Sequence, residues 1–195
     1  MYAISARVST LVVVGHVGDV TVTGGGSATS VTEQVAYSKT RPVTTRTISD
    51  GTLTVTYNCP AQLVCGVAYV IRVPRDAAVQ VKTGSGAIRL SGLAGNVTAQ
   101  ADIGLINATS LSGASVSLTT EGGGITAAFT AAPATVQAAT RVGTITVRVP
   151  GGTSYKVTTH AHLGHATVSV PQSSSSAHLI TATADVGGIL VGPAA

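Results

Sequence analysis

The chain has 195 residues, 44% of them hydrophobic but only 3% aromatic and 9% charged, with no tryptophan and a net charge of +4. Its eleven basic residues are scattered, so the clustered cations and aromatic platforms of a nucleic-acid interface are missing. No apolar run reaches the roughly 18 residues that cross a bilayer, so a membrane would be met only through an anchor absent from this chain.

The length fits one domain, residues 1–195, and the core must be built from Val, Ile, Leu and Ala. Residues 1–10 read as a lead-in. Residues 11–24 carry Leu11, Val13, Gly18 and Val20, a first copy of a motif that returns later; it is expected to cap the domain. Residues 25–78 leave that register. They still read as strands over Val31–Tyr37, Val43–Ile48, Leu53–Tyr57 and Tyr69–Val73, with an Asp50-Gly51 hairpin turn between two of them. Cys59 and Cys65 flank a short loop in this region. Their spacing does not suit a zinc site; a disulfide is expected, with free thiols as the alternative, and would imply an oxidising, extracytoplasmic setting.

Residues 79–192 hold six regular copies. Counting from each opening residue as position zero, Val79, Val97, Val116, Val136, Val157 and Ile180 are followed at position nine by Ile88, Ile106, Ile125, Ile145, Ala166 and Ile189. Position seven is always glycine: Gly86, Gly104, Gly123, Gly143, Gly164 and Gly187, with Gly18 in the upstream copy. Apolar residues at positions zero and two, and again at nine and eleven, have the period of strands. The glycine marks a corner that needs positive φ. Apolar residues just before it (Val17, Ile103, Val142, Leu163, Val186) are expected to point inward and fill the corner. From position nine to the next copy the spacing grows as 9, 10, 11, 12 and 14, which suggests a corner that bulges progressively and ends in the Ser173–Ser176 tract. Repeats too small to bury their own face must stack. The predicted fold is all-β: a single-domain parallel β-solenoid with about 18–23 residues per turn and an irregular, strand-rich N-terminal third.

Three segments together resemble a bacterial family. They are Cys59-Pro60…Cys65-Gly66-Val67, the strand end Arg72-Val73-Pro74, and the run from Lys82-Thr83-Gly84-Ser85-Gly86 through Gly92-Leu93-Ala94-Gly95-Asn96-Val97. The chain is similar over about residues 10–192 to the "putative adhesin" repeat domains, a family of unknown function common in actinobacteria. The resemblance implies a solenoid and an outward-facing surface role, and brings no catalytic residues. The acid common before the branched residue of that family's turns stands only at Asp19.

Position five is a polar column: His16, Gly84, Asp102, Glu121, Arg141, His162 and Asp185. Asp102 beside Glu121 is the candidate pair for a polysaccharide-processing enzyme on a β-helix scaffold, and Glu121 beside Arg141 an ion pair. His160, His162 and His165 are weak candidates for a metal site, and Thr126, Thr146 and Thr167 for a flat hydroxyl array. The reading preferred over these is a non-catalytic module without cofactor or physiological metal. It would act as a spacer or as a binding surface for a glycan or protein at the cell envelope. A self-assembling module, pairing through exposed end strands, is a further alternative.

Overall fold

The computed structural model describes residues 2–26, 28–59 and 64–194. The first third contains β1 (Tyr2–Ile4), β2 (Thr10–Val14), β3 (Val20–Gly24), β4 (Thr29–Tyr37), β5 (Val43–Ser49), β6 (Thr52–Asn58) and β7 (Cys65–Val73). There follow β8 (Ala78–Ser85), β9 (Ile88–Ser91), β10 (Val97–Ile103), β11 (Ile106–Leu111), β12 (Ser115–Gly122) and β13 (Ile125–Phe129). The last are β14 (Thr135–Val142), β15 (Ile145–Val149), β16 (Lys156–Leu163), β17 (Ala166–Val168), β18 (Leu179–Val186) and β19 (Ile189–Pro193). Among the described residues there is no helix, and the strands form two sheets of ten and nine members. Most neighbours are parallel; the antiparallel pairs are β1–β4, β4–β7 and β5–β6.

Each repeat places one strand in either sheet, so the repeats stack as two-strand rungs. Along β8 the alternation is explicit: Val79, Val81 and Thr83 are buried, while Gln80 and Lys82 are exposed. Both sheets turn their apolar rows onto one core, mostly aliphatic but with Tyr57, Tyr69, Phe129 and Tyr155 buried in it, where each fully buried Val, Leu or Ile contributes about 1.5–3 kcal/mol. Equal positions become neighbours in space. Ile88 pairs with Ile106, Ile106 with Ile125, Ile125 with Ile145 and Ile145 with Ile189. The Asp50-Gly51 turn joins β5 to β6 with φ of 49° and 73°, a hairpin corner as the dipeptide predicts.

The order of the rungs differs from the order of the chain. Across the stack they run β6–β7, β2–β3, β8–β9, β10–β11, β12–β13, β14–β15, β18–β19, β16–β17. The first copy is therefore no cap: β2 lies between β6 and β8, and β3 between β7 and β9. At the other end β18–β19 slots between β14–β15 and β16–β17. The long spacings of 12 and 14 are explained by this exchange rather than by a bulging corner. The first carries the chain past a rung position, and the second brings it back. The Ser173–Ser176 tract belongs to that return, folded back by Ser173 N–H donating to Tyr155 O (3.0 Å) and Ser176 Oγ to Ser154 O (2.7 Å).

The region read as irregular also holds a full rung. Leu53 pairs with Leu11 and Tyr69 with Val20, so Leu53 and Tyr69 occupy positions zero and nine. They are sixteen residues apart instead of nine. The excess sits at the corner, where Cys59 and Cys65 form a disulfide with a Cα–Cα distance of 5.9 Å. Pro60, part of the family-like segment, lies outside the described residues.

Candidate binding surface

The corner shared by every rung except β6–β7 is a column of glycine backbones. Gly18, Gly86, Gly104, Gly123, Gly143, Gly187 and Gly164 have φ between 136° and 155°, a region that favours glycine. They also pack directly on one another. A Cβ on Gly104 would lie 2.0 Å from Gly86 O, one on Gly143 2.0 Å from Gly123 O, and one on Gly164 1.9 Å from Gly187 O. Three buried threonines at position four fasten the column. Thr120 Oγ1 donates to Gly104 O (3.1 Å), Thr140 Oγ1 to Gly123 O (2.9 Å) and Thr83 Oγ1 to Gly18 O (3.5 Å). Sequence reasoning missed these threonines; their recurrence at one position before the glycine was the available signal.

Backbone fills the inside of this corner, which leaves no space for the preceding side chain. The expectation that Val17, Ile103, Val142, Leu163 and Val186 point inward is therefore wrong. Ile103 is 66% exposed, Leu163 70%, and Val17 and Val142 52% each. Leu105, just after its glycine, is 61% exposed. Register places these residues along one line: Val17 beside Ser85, then Ile103, Gly122, Val142, Val186 and Leu163. The exterior is thus not uniformly hydroxyl-bearing, because an aliphatic ridge follows the glycine corner.

The polar column beside the ridge follows the spatial order. Asp102 and Glu121 lie on neighbouring strands, as do Glu121 and Arg141. The latter pair is loose at 3.9 Å, with side chains 62% and 65% exposed. Asp185, not His162, follows Arg141. His160 and His162 stand edge to face with ring centroids 4.4 Å apart. Among the described residues no group of three His, Cys, Asp or Glu side chains converges, so His165 does not complete a three-ligand set with them. The hydroxyl array is also interrupted: Thr126 pairs with Thr146, but Leu190 separates Thr146 from Thr167.

Asp19 has a specific task at the corner. Its carboxylate accepts hydrogen bonds from Ala87 N–H (2.9 Å) and Arg89 Nη1 (2.7 Å) on the next rung. These partners hold its carboxyl below the ordinary value.

The β6–β7 end of the stack is rich in tyrosine. Tyr57 and Tyr69 lie 6.3 Å apart, and Tyr57 Oη donates to Val17 O (2.7 Å). Burial, reinforced by the Glu33 charge, pushes the Tyr2 hydroxyl up to about 12 and raises that of Tyr69 as well. The surface also carries open depressions, among them these two. One, of about 430 Å³, is lined by Val17, Val35, Val64 and Val67 beside the disulfide. The other, of about 600 Å³, lies between Thr109, Ser110, Thr130 and Arg148.

No protein-family model matches the chain, and no curated protein is similar to it in sequence. Two solved structures align with the chain. One is a "putative cell adhesion protein" from Clostridium sporogenes, with TM-score 0.55 and 14% identity over 97% of this chain and 94% of that one. The other is a "putative adhesin" from Bacteroides fragilis, with TM-score 0.41, 14% identity and the same coverage.

Proposed function

We propose that the chain is a non-catalytic β-solenoid of the bacterial cell envelope, facing outward and serving as an adhesin-like binding or spacer module. The stacked rungs and the fold shared with a protein described in terms of cell adhesion support the architecture and the general role. The Cys59–Cys65 disulfide supports an extracytoplasmic compartment.

The observation that carries the reading is the aliphatic ridge at Ile103, Leu105, Val142, Val186 and Leu163. Exposed aliphatic side chains gathered along one line mark an interaction surface, and these five lie outside the core cluster. A ridge without aromatic rings suits the face of a protein better than a sugar ring. The experiment compares wild type with Ile103→Ser/Leu105→Ser/Val142→Ser on immobilised envelope proteins and on a glycan array. The reading expects retained thermal stability, lost protein binding and a silent array. Binding indifferent to the ridge would sink it, as would glycan turnover abolished by Asp102→Asn.

A further inference from the structure

From the composition of its outermost strands, independently of the ridge, we infer that the chain pairs end to end with a second copy through its β16–β17 rung.

The β6–β7 end is closed against further stacking. Strand β5 continues the nine-stranded sheet there, and its residues Thr44, Arg46 and Ile48 stand opposite the buried Tyr57, Val55 and Leu53. Directly opposed residues share a sheet face, so Arg46 occupies a core-side position. Its guanidinium lies 3.8 Å over the Tyr2 ring. Glu33 accepts hydrogen bonds from Tyr2 Oη and Thr44 Oγ1, each 3.1 Å. A rung added on this side would bury that arginine. Inward-facing charge is a recognised device for keeping sheet edges from pairing.

Among the described residues the β16–β17 end has no such device: strand β16 pairs in its sheet with β18 alone, and β17 with β19 alone. The core-side row of β16 is Val157, Thr159 and Ala161, uncharged and half-buried. Their partners one rung in, Ile180, Ala182 and Ala184, are wholly buried. On β17, Ala166 is exposed and Val168 half-buried, against buried Ile189 and Val191. The core thus runs out to this end and stops uncovered.

The backbone points the same way. Lys156 N–H bonds inward to His178 O (2.8 Å). Tyr155 bonds to the outer side, its N–H donating to Pro171 O (2.9 Å) and its O accepting from Ser173 N–H (3.0 Å). By the alternation of a parallel strand, Val157, Thr159 and Ala161 share the orientation of Tyr155 and present their groups to the open edge. An extended strand is the partner that satisfies such a row all at once. A second copy of β16, running antiparallel with Thr159 opposite its own counterpart, sets Val157 against Ala161 and keeps every core-side residue on the core side. The Pro171–Ser173 segments bound this pairing at both ends. Because the other end is blocked by Arg46, the association closes as a two-fold dimer and does not extend into a filament.

Sedimentation velocity and light scattering over a concentration series, on the full chain, test this. The expected result is a monomer–dimer equilibrium with no larger species. Thr159→Lys should move its midpoint at least about tenfold higher, since like charges would face each other at the dyad. Arg46→Lys should leave it unchanged. Circular dichroism checks that each variant is folded, and Ala161→Lys replaces Thr159→Lys if that variant is not. Thr159→Cys should give a covalent dimer on mild oxidation, because opposed hydrogen-bonded residues lie about 5.5 Å apart. Thr158→Cys should not. A monomer at every concentration overturns the inference. So does a dimer indifferent to lysine at both positions, or an open-ended series of oligomers.

Discussion

The two corners of each rung obey different rules. At the glycine corner every rung but β6–β7 has the same length, and backbone rests on backbone from Gly18 to Gly164. At the opposite corner the spacing varies from 9 to 14 residues across the six regular copies. That corner is tight at some rungs and open at others. A Cβ on Gly113 would lie 2.2 Å from Gly95 O, whereas one on Gly152 would meet nothing within 4 Å. The constant corner fixes how rungs pack on one another. The variable corner decides which rung follows which, because its connections are the ones that step along the stack.

The largest expected effect separates the two corners at matched chemistry. Gly143 and Gly152 both have positive φ, 153° and 79°. Gly143→Ala adds a clash with the Gly123 carbonyl and should cost about 3 kcal/mol or more, against about 1 kcal/mol for Gly152→Ala. Urea unfolding midpoints measure both. Equal costs would mean that the glycine column is not packed as described.

An intermediate effect probes the fastening of the constant corner. Thr140→Val keeps the shape but removes the hydroxyl that donates to Gly123 O. It should cost about 1 kcal/mol, read from the same midpoints. Thr181→Val, on the outer face of β18, should cost far less.

The smallest effect concerns Asp19. Its folded-state pKa lies below the unfolded value, so its contribution is present above the ordinary carboxylate range and is lost as pH falls through the folded value. The Asp19–Arg89 pair is half-exposed, so the contribution should be only about 0.5 kcal/mol. Asp19→Asn should lower the midpoint slightly at pH 7, and the difference from wild type should vanish toward pH 2.

The constant corner was legible in the sequence and the variable one was not. Glycine at position seven and isoleucine at position nine recur because each rung poses the same local problem, so the column Ile88–Ile106–Ile125–Ile145 could be read directly. Rung order could not. A strand such as β15 offers the same apolar row to β17 and to β19, and nothing local distinguishes the next copy from the one after. The β6–β7 rung was hidden because its corner is a disulfide loop and not a glycine turn. The ridge was misjudged for a different reason. Extending the two-residue period from Ala101 to Ile103 predicts a buried side chain, but the alternation ends at the corner, where the glycine backbones take up the interior. Among the candidate site residues, the adjacency of Asp102 and Glu121 was legible from equal positions. That of Arg141 with His162 failed with the rung order.

Methyl contacts between Val147, Val191 and Val168 report the exchanged order of the last two rungs. In a nuclear Overhauser experiment on the valine-labelled chain, the structure predicts cross-peaks for Val147 with Val191 and for Val191 with Val168. It predicts none for Val147 with Val168, which are two rungs, or about 9.6 Å, apart. A strong Val147–Val168 contact, with Val191 meeting only Val168, would restore the order of the chain and contradict the account.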